Sequence, residues 1–572
     1  MGDAAAAQSI AEGPGSGAIL ALLIVIFISV WLGTMAQRAI KKGQFLKGYF
    51  LGNRGLGAWA LALTATVQSG GTFMGYPSFV YSHGWVVAVW IGSYMVVPIT
   101  GFGVLGKRFA QLSRRTGAIT IPDLLRIRFG SSAVGLISSL FIILFMSSMM
   151  VAQFKAGAIV MKLTLPGAKS LVLAEDDTST AAAATSSAGE AGAANEAAKT
   201  STIDWEHIIG LTVFSLTVVG YTLIGGFLAS VWTDLFQSIL MFFGVILLFL
   251  LVVPLVPGAP MQQATVDAVA ATGPEYAFGP GYSPEGRQFL PISLAFSFFV
   301  LWIFGGVGSP AGLVRLMASH DTPTIRRSIV LLSIYNTFIY LPLLVICVHA
   351  RSIFPALDKP DEVIPRLALS STSHLPGGSF LSGLILAAPF GAVMATVSTY
   401  LVVIASGVVR DVYLQFLRPR AGQIEIQRVS QAVMIFFGLL SFGLNIYPVK
   451  YLQALVVFST STIAATLLVP AVMAAYWRRA TVPGAIVAMF AGSATMLSLF
   501  GVGWVRAFQG YDQGIGPDTA FRAYYLLGLE PIVWGLLVSF VSGVLVSLAT
   551  RPPDERLISW LFDRQADQPA SA

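Results

Sequence analysis

The chain has 572 residues, of which 55% are hydrophobic and only 11% charged, with a net charge of +7. Soluble domains carry about 25% charged residues, so this chain could not cover itself with a water-facing surface. The positive balance need not mean nucleic acid, since membrane proteins collect Lys and Arg at their cytoplasmic face; the single cysteine, Cys347, excludes an internal disulfide and any multi-cysteine metal site.

Thirteen apolar runs, each long enough to cross about 30 Å of hydrocarbon, start near Ala18, Gly57, Gly84, Ser132, His207, Val231, Leu290, Ser328, Phe380, Ser430, Gln453, Val482 and Pro531. The first follows a stretch, Met1 to Gly17, with no positive region, and it ends near Ala36 without a small-residue cleavage site. It reads as a helix that stays, not a signal peptide. The second contains Ser69-Gly-Gly-Thr-Phe-Met-Gly-Tyr-Pro77, and the seventh contains Phe304-Gly-Gly-Val-Gly-Ser-Pro310. Gly and Pro at that density weaken a helix and free backbone groups. In lipid, freed groups are tolerated only where they face protein or line a cavity. One such helix is most simply a kinked packing helix. Two at the first position of successive five-helix units point to a transporter with inverted repeats and a site near the midplane. Between the fourth and fifth spans, Ala174 to Thr202 is rich in Ala, Ser, Thr, Glu and Asp and has no aromatic residue. It reads as a disordered outer insert.

The loops set an orientation. With the N-terminus outside, the cytoplasmic segments carry Arg38, Lys41, Lys42, Lys47, Arg54, Lys107, Arg108, Arg114, Arg115, Arg126, Arg128, Arg315, Arg326 and Arg327. They also carry Arg410, Arg418, Arg420, Arg428, Arg478, Arg479, Arg551, Arg556 and Arg564, most of the 34 Lys and Arg. That bias predicts an odd number of crossings and a cytoplasmic C-terminus in a multi-pass cell-membrane protein. The five histidines, His83, His207, His320, His349 and His374, show no ligand spacing. No nucleophile elbow, phosphate loop or paired-carboxylate motif stands out, so neither an enzyme nor an organic cofactor is expected.

Several motifs resemble the sodium:solute symporter family. Gly48-Tyr-Phe-Leu-Gly-Asn-Arg54 is similar to its loop before the second helix. Tyr221-Thr-Leu-Ile-Gly-Gly-Phe-Leu-Ala-Ser-Val-Trp-Thr-Asp234 is similar to its fifth-to-sixth junction. Ala392-Val-Met-Ala-Thr396 through Arg410-Asp411-Val-Tyr413 is similar to its ninth helix, and Gly308-Ser-Pro310 followed by Arg315 to the end of its seventh. The resemblance covers about Phe45 to Arg479. Leu105-Gly-Lys-Arg-Phe, Ala118-Ile-Thr-Ile-Pro-Asp123, the loop Arg351 to Pro365 and Leu386-Ala-Ala-Pro389 are most similar to its bacterial sodium/pantothenate branch.

The resemblance implies an all-α polytopic protein of about thirteen helices with a leucine-transporter-like, five-plus-five inverted-repeat core. The division is then 1–37 for the outer segment and first helix, 38–254 for helices two to six, 255–477 for seven to eleven, and 478–572 for the last two helices and a short tail. It implies a sodium site between the second and ninth helices, with backbone carbonyls at Ala65, Gln68 and Ala392. The family's hydroxyl pair falls at Ala395 and Thr396, and Ala395 departs from the serine of many members. A water could fill that gap, or sodium coupling could be weak or lost. Read alone, Thr396 is a hydroxyl bonded back to its own turn. Asp234 falls on the sodium exit path, against a plain capping role at the start of the sixth span. Ser69, Thr72 and Trp302 fall where relatives face substrate, though a membrane tryptophan is often packing. Gln153 and Lys155 lie in the outer half of the fourth span. An ionisable group there is functional by default, and the bland alternative is snorkelling.

The leading reading is sodium-coupled symport of a small organic solute, with a small anion such as pantothenate first. Proline, a monocarboxylate or another small solute, with weak or proton-based coupling, is the alternative. The partners expected are the solute, sodium and the bilayer, with no nucleic acid and no obligate protein partner. A membrane sensor is disfavoured because only about twenty residues follow the last span.

Overall fold

The computed structural model describes residues 16–39, 50, 54–65, 69–164, 205–255, 260–282, 289–357, 359–447, 452–517 and 522–563. The expected insert, Ala174 to Thr202, lies outside the described residues. The crossings run in chain order. Helix α1 is Ser16–Ala39. Helix α2 comes in two pieces, Ala58–Ala65 and 71–83, the second opening as a π-helix over Gly71–Gly75. Helix α3 covers 84–116, and α4 is Ser132–Thr164. Helices α5 (205–225) and α6 (227–252) form one continuous run, Trp205–Val252. Helix α7 comes in two pieces, Ile292–Val307 and Pro310–Met317. Then follow α8 (Thr322–Ile353), α9 (Gly378–Ser406, continued by a π-helix over Gly407–Leu417) and α10 (Gln423–Leu444). The last are α11 (Leu452–Tyr476), α12 (Val482–Phe508) and α13 (Pro531–Ala549).

Eleven of the described helical runs are long and apolar enough to cross a membrane, and two of these are too long for one crossing. Gly71–Thr116 has 46 residues and Trp205–Leu255 has 51. At 1.5 Å per residue each would measure roughly 70 Å or more, over twice the hydrocarbon thickness. Both runs reverse at a glycine with positive φ. Gly84 has φ 71° and ψ −142°, and Gly226 has φ 57° and ψ −139°. A Cβ at Gly84 would meet the Tyr276 carbonyl at 2.2 Å. Divided at these two glycines, the runs give the thirteen crossings expected. The faces of the bundle are named here by the ends of α1, the Ser16 face and the Arg38 face.

The predicted starts hold to within a few residues, with two informative exceptions. Helix α8 begins at Thr322, not near Ser328, and α10 at Gln423, not near Ser430. Each adds a polar first turn at the Arg38 face that an apolar-run reading leaves out. Asp321 caps α8, accepting from the Thr324 amide at 2.8 Å, and those Thr324 hydrogen bonds hold its carboxyl down to about 2.

Helix α9 is the centre of the bundle. In its most apolar window 89% of residues are buried, against 28% for α10 and for α13, which flank the outside. Both expected interruptions are present. In α7 the break falls at Gly308 and Ser309, where Ser309 is extended (φ −64°, ψ 117°). In α2 the first piece ends at Ala65, and Gly70 has already resumed helical dihedrals. The Gly-rich stretch expected to be the break is itself a widened helix. Leu56 pairs with the end of α7 through Ala318 and His320, each at 3.3 Å, so the entry to one interrupted helix is stitched to the exit of the other.

The Gly226 reversal yields a test. An L-residue with that φ and ψ costs about 1–3 kcal/mol. Gly226→Ala is expected to lower the thermal unfolding midpoint in detergent. Gly220→Ala, where an added methyl meets nothing within 4 Å, is expected to leave it level or raise it slightly.

Candidate functional site

A cavity of about 910 Å³, its opening included, lies between the two interrupted helices. Ser69 and Gly71 of α2, Trp302 and Ser309 of α7, Tyr400 of α9 and Ser459 of α11 are among its walls. Phe145 and Met146 of α4 and Ile463 of α11 also line it. Among the described residues, no Lys, Arg, His, Asp or Glu lines it. Toward the Ser16 face aromatic rings pack against one another beside it. Trp90 stands 5.6 Å from Trp302, 5.4 Å from Phe79 and 5.3 Å from Phe298, centroid to centroid. Tyr94 stacks on Trp302 at 5.4 Å and on Tyr340 at 4.4 Å.

The structure brings part of the expected sodium set together. Ala65 is the last residue of the first piece of α2, and Gln68 lies outside the described residues. The Thr396 hydroxyl donates to the Ala392 carbonyl at 3.0 Å, deep in α9. That bond is the helix back-bond of the bland reading, and it also places two of the expected oxygens side by side. A Cβ on Gly70 would lie 3.4 Å from Val393, so the restart of α2 packs against α9 one residue from Ala392. The Ala395 carbonyl accepts from Ser398 Oγ at 3.0 Å and Thr399 Oγ1 at 2.9 Å.

Asp234 is not a cap. Helix α6 starts at its Gly226 reversal, so Asp234 sits two turns inside it, 1% exposed. It pairs with Arg315 of α7, which is equally buried. Arg315 also donates to the Thr64 carbonyl of α2, to Thr399 of α9 and to Ser230 of α6. Ser398 donates to Asp234 at 3.3 Å. Removing two charges from water is expensive, and only a pair with its remaining sites hydrogen-bonded repays the cost. In the sequence, Arg315 looked like one more loop cation. Of the hydroxyls around the acid, Ser230 lies four residues before it in the sequence, while Ser398 and Thr399 lie on another helix and leave no local signal.

The expected solute contacts divide. Ser69 and Trp302 line the cavity. Thr72 is buried behind it, bonded to Tyr340 Oη at 3.3 Å. Gln153 Oε1 accepts from the Gly70 amide at 2.8 Å and thereby holds the restart of α2. Lys155 is not among the residues that line the cavity. Its Nζ lies 3.8 Å from Asp361, in the short helix Pro360–Glu362 between α8 and α9. Burial pushes the Asp361 carboxyl above its ordinary range, while Lys155, Ser78 and the Leu452 amide oppose that shift. Lys155 is thus a tie between α4 and the loop over α2 and α11.

Comparison with known proteins fits this geometry. A family profile described as "Sodium:solute symporter family" matches residues 49–172 and 191–492. A sodium/pantothenate symporter of Escherichia coli is 30% identical over 490 residues, covering 83% of this chain and 88% of that protein. One of Haemophilus influenzae is 29% identical over 495 residues, covering 85% and 91%. An osmoregulated proline transporter of Bacillus subtilis is 24% identical over 547 residues, covering 94% and 95%. A solved Na+-coupled sialic acid symporter in a substrate-bound outward-open state shares the fold, with a TM-score of 0.67 at 16% identity over 94% of this chain and 99% of that one. The fold is accordingly the leucine-transporter-like one.

Two outcomes follow from the ion pairs. Arg315→Met leaves the Asp234 carboxylate buried without its cation, a loss of about 3–5 kcal/mol, and Arg315→Met with Asp234→Asn is expected to lose less than the two single changes added together. Unfolding midpoints of all four proteins check this; additive losses would dismiss the pairing. Lys155→Met and Asp361→Asn are each expected to affect uptake of an anionic and a neutral solute alike. Together they should do no more harm than the worse single change.

Proposed function

Because the chain belongs to the sodium:solute symporter family, and is a multi-pass membrane transporter rather than an enzyme, we propose that it carries a small organic acid, pantothenate first, inward with sodium. The observation that carries this reading is the uncharged cavity between α2 and α7, with aromatic rings packed beside it on one face. The similarity to sodium/pantothenate symporters over most of both chains supports the choice of solute. In this reading helices α2 to α6 and α7 to α11 are the two repeats. The Ser16 face is outside and the Arg38 face cytoplasmic, in keeping with the clustering of Arg and Lys there. The family profile passes over 173–190, in keeping with an insert in an outer loop.

Sodium sits, in this reading, between the carbonyls of Ala65, Gln68 and Ala392 and the Thr396 hydroxyl. Asp234 lies on its way out, and Ser69, Thr72, Gln153 and Trp302 shape the solute position. Lys155 supports the outer loop instead of drawing in the anion. A second reading, proline or a monocarboxylate as solute, draws on more distant relatives.

Ala395 removes one oxygen from the sodium set. The loss of one such contact to a charge is worth roughly 1.5–3 kcal/mol, about ten- to a hundredfold in affinity. Initial uptake of labelled pantothenate, proline and lactate into reconstituted vesicles, measured against sodium, tests both assignments. Pantothenate is expected to enter with a weak sodium dependence. Ala395→Ser should strengthen it, and Thr396→Ala should nearly abolish it. Uptake that ignores sodium and follows a proton gradient would sink the sodium assignment.

A further inference from the structure

After α13 the described chain turns into a short tail helix, Glu555–Phe562, whose N-cap Asp554 accepts from the Arg556 amide at 3.0 Å. Ile558 and Leu561 of this helix are buried. Phe562 is ringed by arginines. The guanidinium carbons of Arg128, Arg108 and Arg478 stand 5.2, 5.3 and 5.6 Å from its ring centroid. Arg115 donates to the Leu561 carbonyl at 2.9 Å and to the Asp563 carbonyl at 2.7 Å. Arg478 pairs with the Asp563 carboxylate. Arg108 and Arg115 belong to α3, and Arg128 to the short helix Ile121–Phe129 that leads into α4. Arg478 follows the end of α11. In the sequence all four are only cations of the Arg38 face.

Two of these arginines also reach the end of α11. Arg108 Nε donates to the Ala475 carbonyl at 3.1 Å. Arg128 donates from Nε to the Ala474 carbonyl at 3.1 Å and from Nη2 to the Trp477 carbonyl at 2.8 Å. The last carbonyls of a helix have no amides of their own to pair with, and a cation there suits the helix dipole. Helix α3 and the lead-in to α4 thus grip the end of α11, and the tail helix lies against the grip. Helices α3 and α11 also both wall the cavity, through Tyr94 and Val97 and through Val456 and Ile463. In the proposed reading α3 and α4 belong to one repeat and α11 to the other. Transporters of this kind work by moving one repeat or bundle against the other around a fixed site. An opening at the Arg38 face between α3 and α11 has to break the grip. The joint is poised to break. Arg128 is 1% exposed, and its Nη1 has no hydrogen-bond partner among the described residues. A buried N–H without a partner is costly, and lifting the tail helix gives it water. The Arg478–Asp563 pair is more than half exposed and adds little to the hold.

We infer that the tail helix is a strap over the Arg38 face. Docked, Phe562 and Asp563 hold α3, the lead-in to α4 and the end of α11 together and keep that face closed. Released, the strap lets α3 and α11 part. Arg108, Arg115, Arg128 and Arg478 are its receptor. The strap acts on the transport cycle, where a plain staple would act on stability alone. It rests on the movement of one repeat against the other and not on the identity of the solute or the ion.

Two measurements on the full chain, with Cys347→Ala throughout, test this. The first needs no solute. Ser459→Cys places a thiol on the cavity wall, and its labelling by a water-soluble maleimide is timed in detergent. Phe562→Ala and Arg115→Gln are each expected to speed that labelling about threefold or more. Phe562→Leu, which keeps the apolar bulk and removes the ring face, provides the same test should Phe562→Ala fold poorly. Lower unfolding midpoints with labelling at the parent's rate would reduce the strap to a staple and overturn the inference. The second holds the strap down. Arg115→Cys and Asp563→Cys are joined by a cleavable crosslinker in reconstituted vesicles. Uptake of whichever of labelled pantothenate, proline and lactate the parent carries is expected to fall about tenfold or more, and to return on cleavage. Uptake that continues through the crosslink would equally overturn the inference. A parent that carries none of the three fails the proposed solutes, and the labelling rates then decide the strap.

Discussion

The Arg315 guanidinium gathers acceptors from three other helices at one buried point: the Thr64 carbonyl of α2, Asp234 and Ser230 of α6, and Thr399 of α9. Arg315 itself belongs to the second piece of α7. An interrupted helix in a membrane has carbonyls with no amide to pair with, and hydrocarbon offers them nothing. Here one such carbonyl, Thr64, receives a charged donor. The charge that makes this donor strong must itself be balanced, and Asp234 does that. Hydroxyls of Ser230, Ser398 and Thr399 donate to the carboxylate, while Arg315 Nε has no hydrogen-bond partner among the described residues. The first piece of α2 and the second piece of α7 are joined at this knot.

That arrangement explains where the molecule can be open. Between the two interruptions the helices present short ends and small residues, and a cavity results. On the Ser16 side the same helices carry Tyr76, Phe79, Phe298 and Trp302, whose rings pack against Trp90. Aromatic edges and faces can part and re-form without leaving a charged group exposed. The Lys155–Asp361 tie lies at that same end, joining α4 to the loop that packs over α2 and α11.

Much of the fold was legible in the sequence because hydrocarbon imposes a simple rule: a run either is apolar for its full length or cannot cross. All thirteen crossings could be read that way. Errors fell where water takes over, as at Thr322 and Gln423, since polar first turns look like loop. Single residues were harder. Asp234 was placed at the opening of the sixth span, with capping as the plain alternative to a place on the sodium path, because the chain's reversal at Gly226 depends on one glycine's φ, which composition does not reveal among 57 glycines. Arg315 and Asp234 are 81 positions apart, and Lys155 and Asp361 are 206 apart, so neither pair has a local signature.

The charge balance of the knot bears on the ion. Hard cations bind more tightly as ligand charge rises. Asp234 is linked to α9 through the Ser398 hydroxyl, which lies within hydrogen-bond distance of both the carboxylate and the Ala395 carbonyl. Its charge is already engaged by Arg315. A sodium ion between Ala392, Thr396 and the end of α2 would therefore meet neutral oxygens only, with one hydroxyl fewer because of Ala395. Such a site fills at high sodium and empties at low, which suits a symporter that must release its ion on the far side. Under the proposed reading, the guanidinium that stabilises the broken helices is also what keeps the sodium site weak. In that reading, any movement of α7 that drew Arg315 from Asp234 would expose a carboxylate to the departing ion.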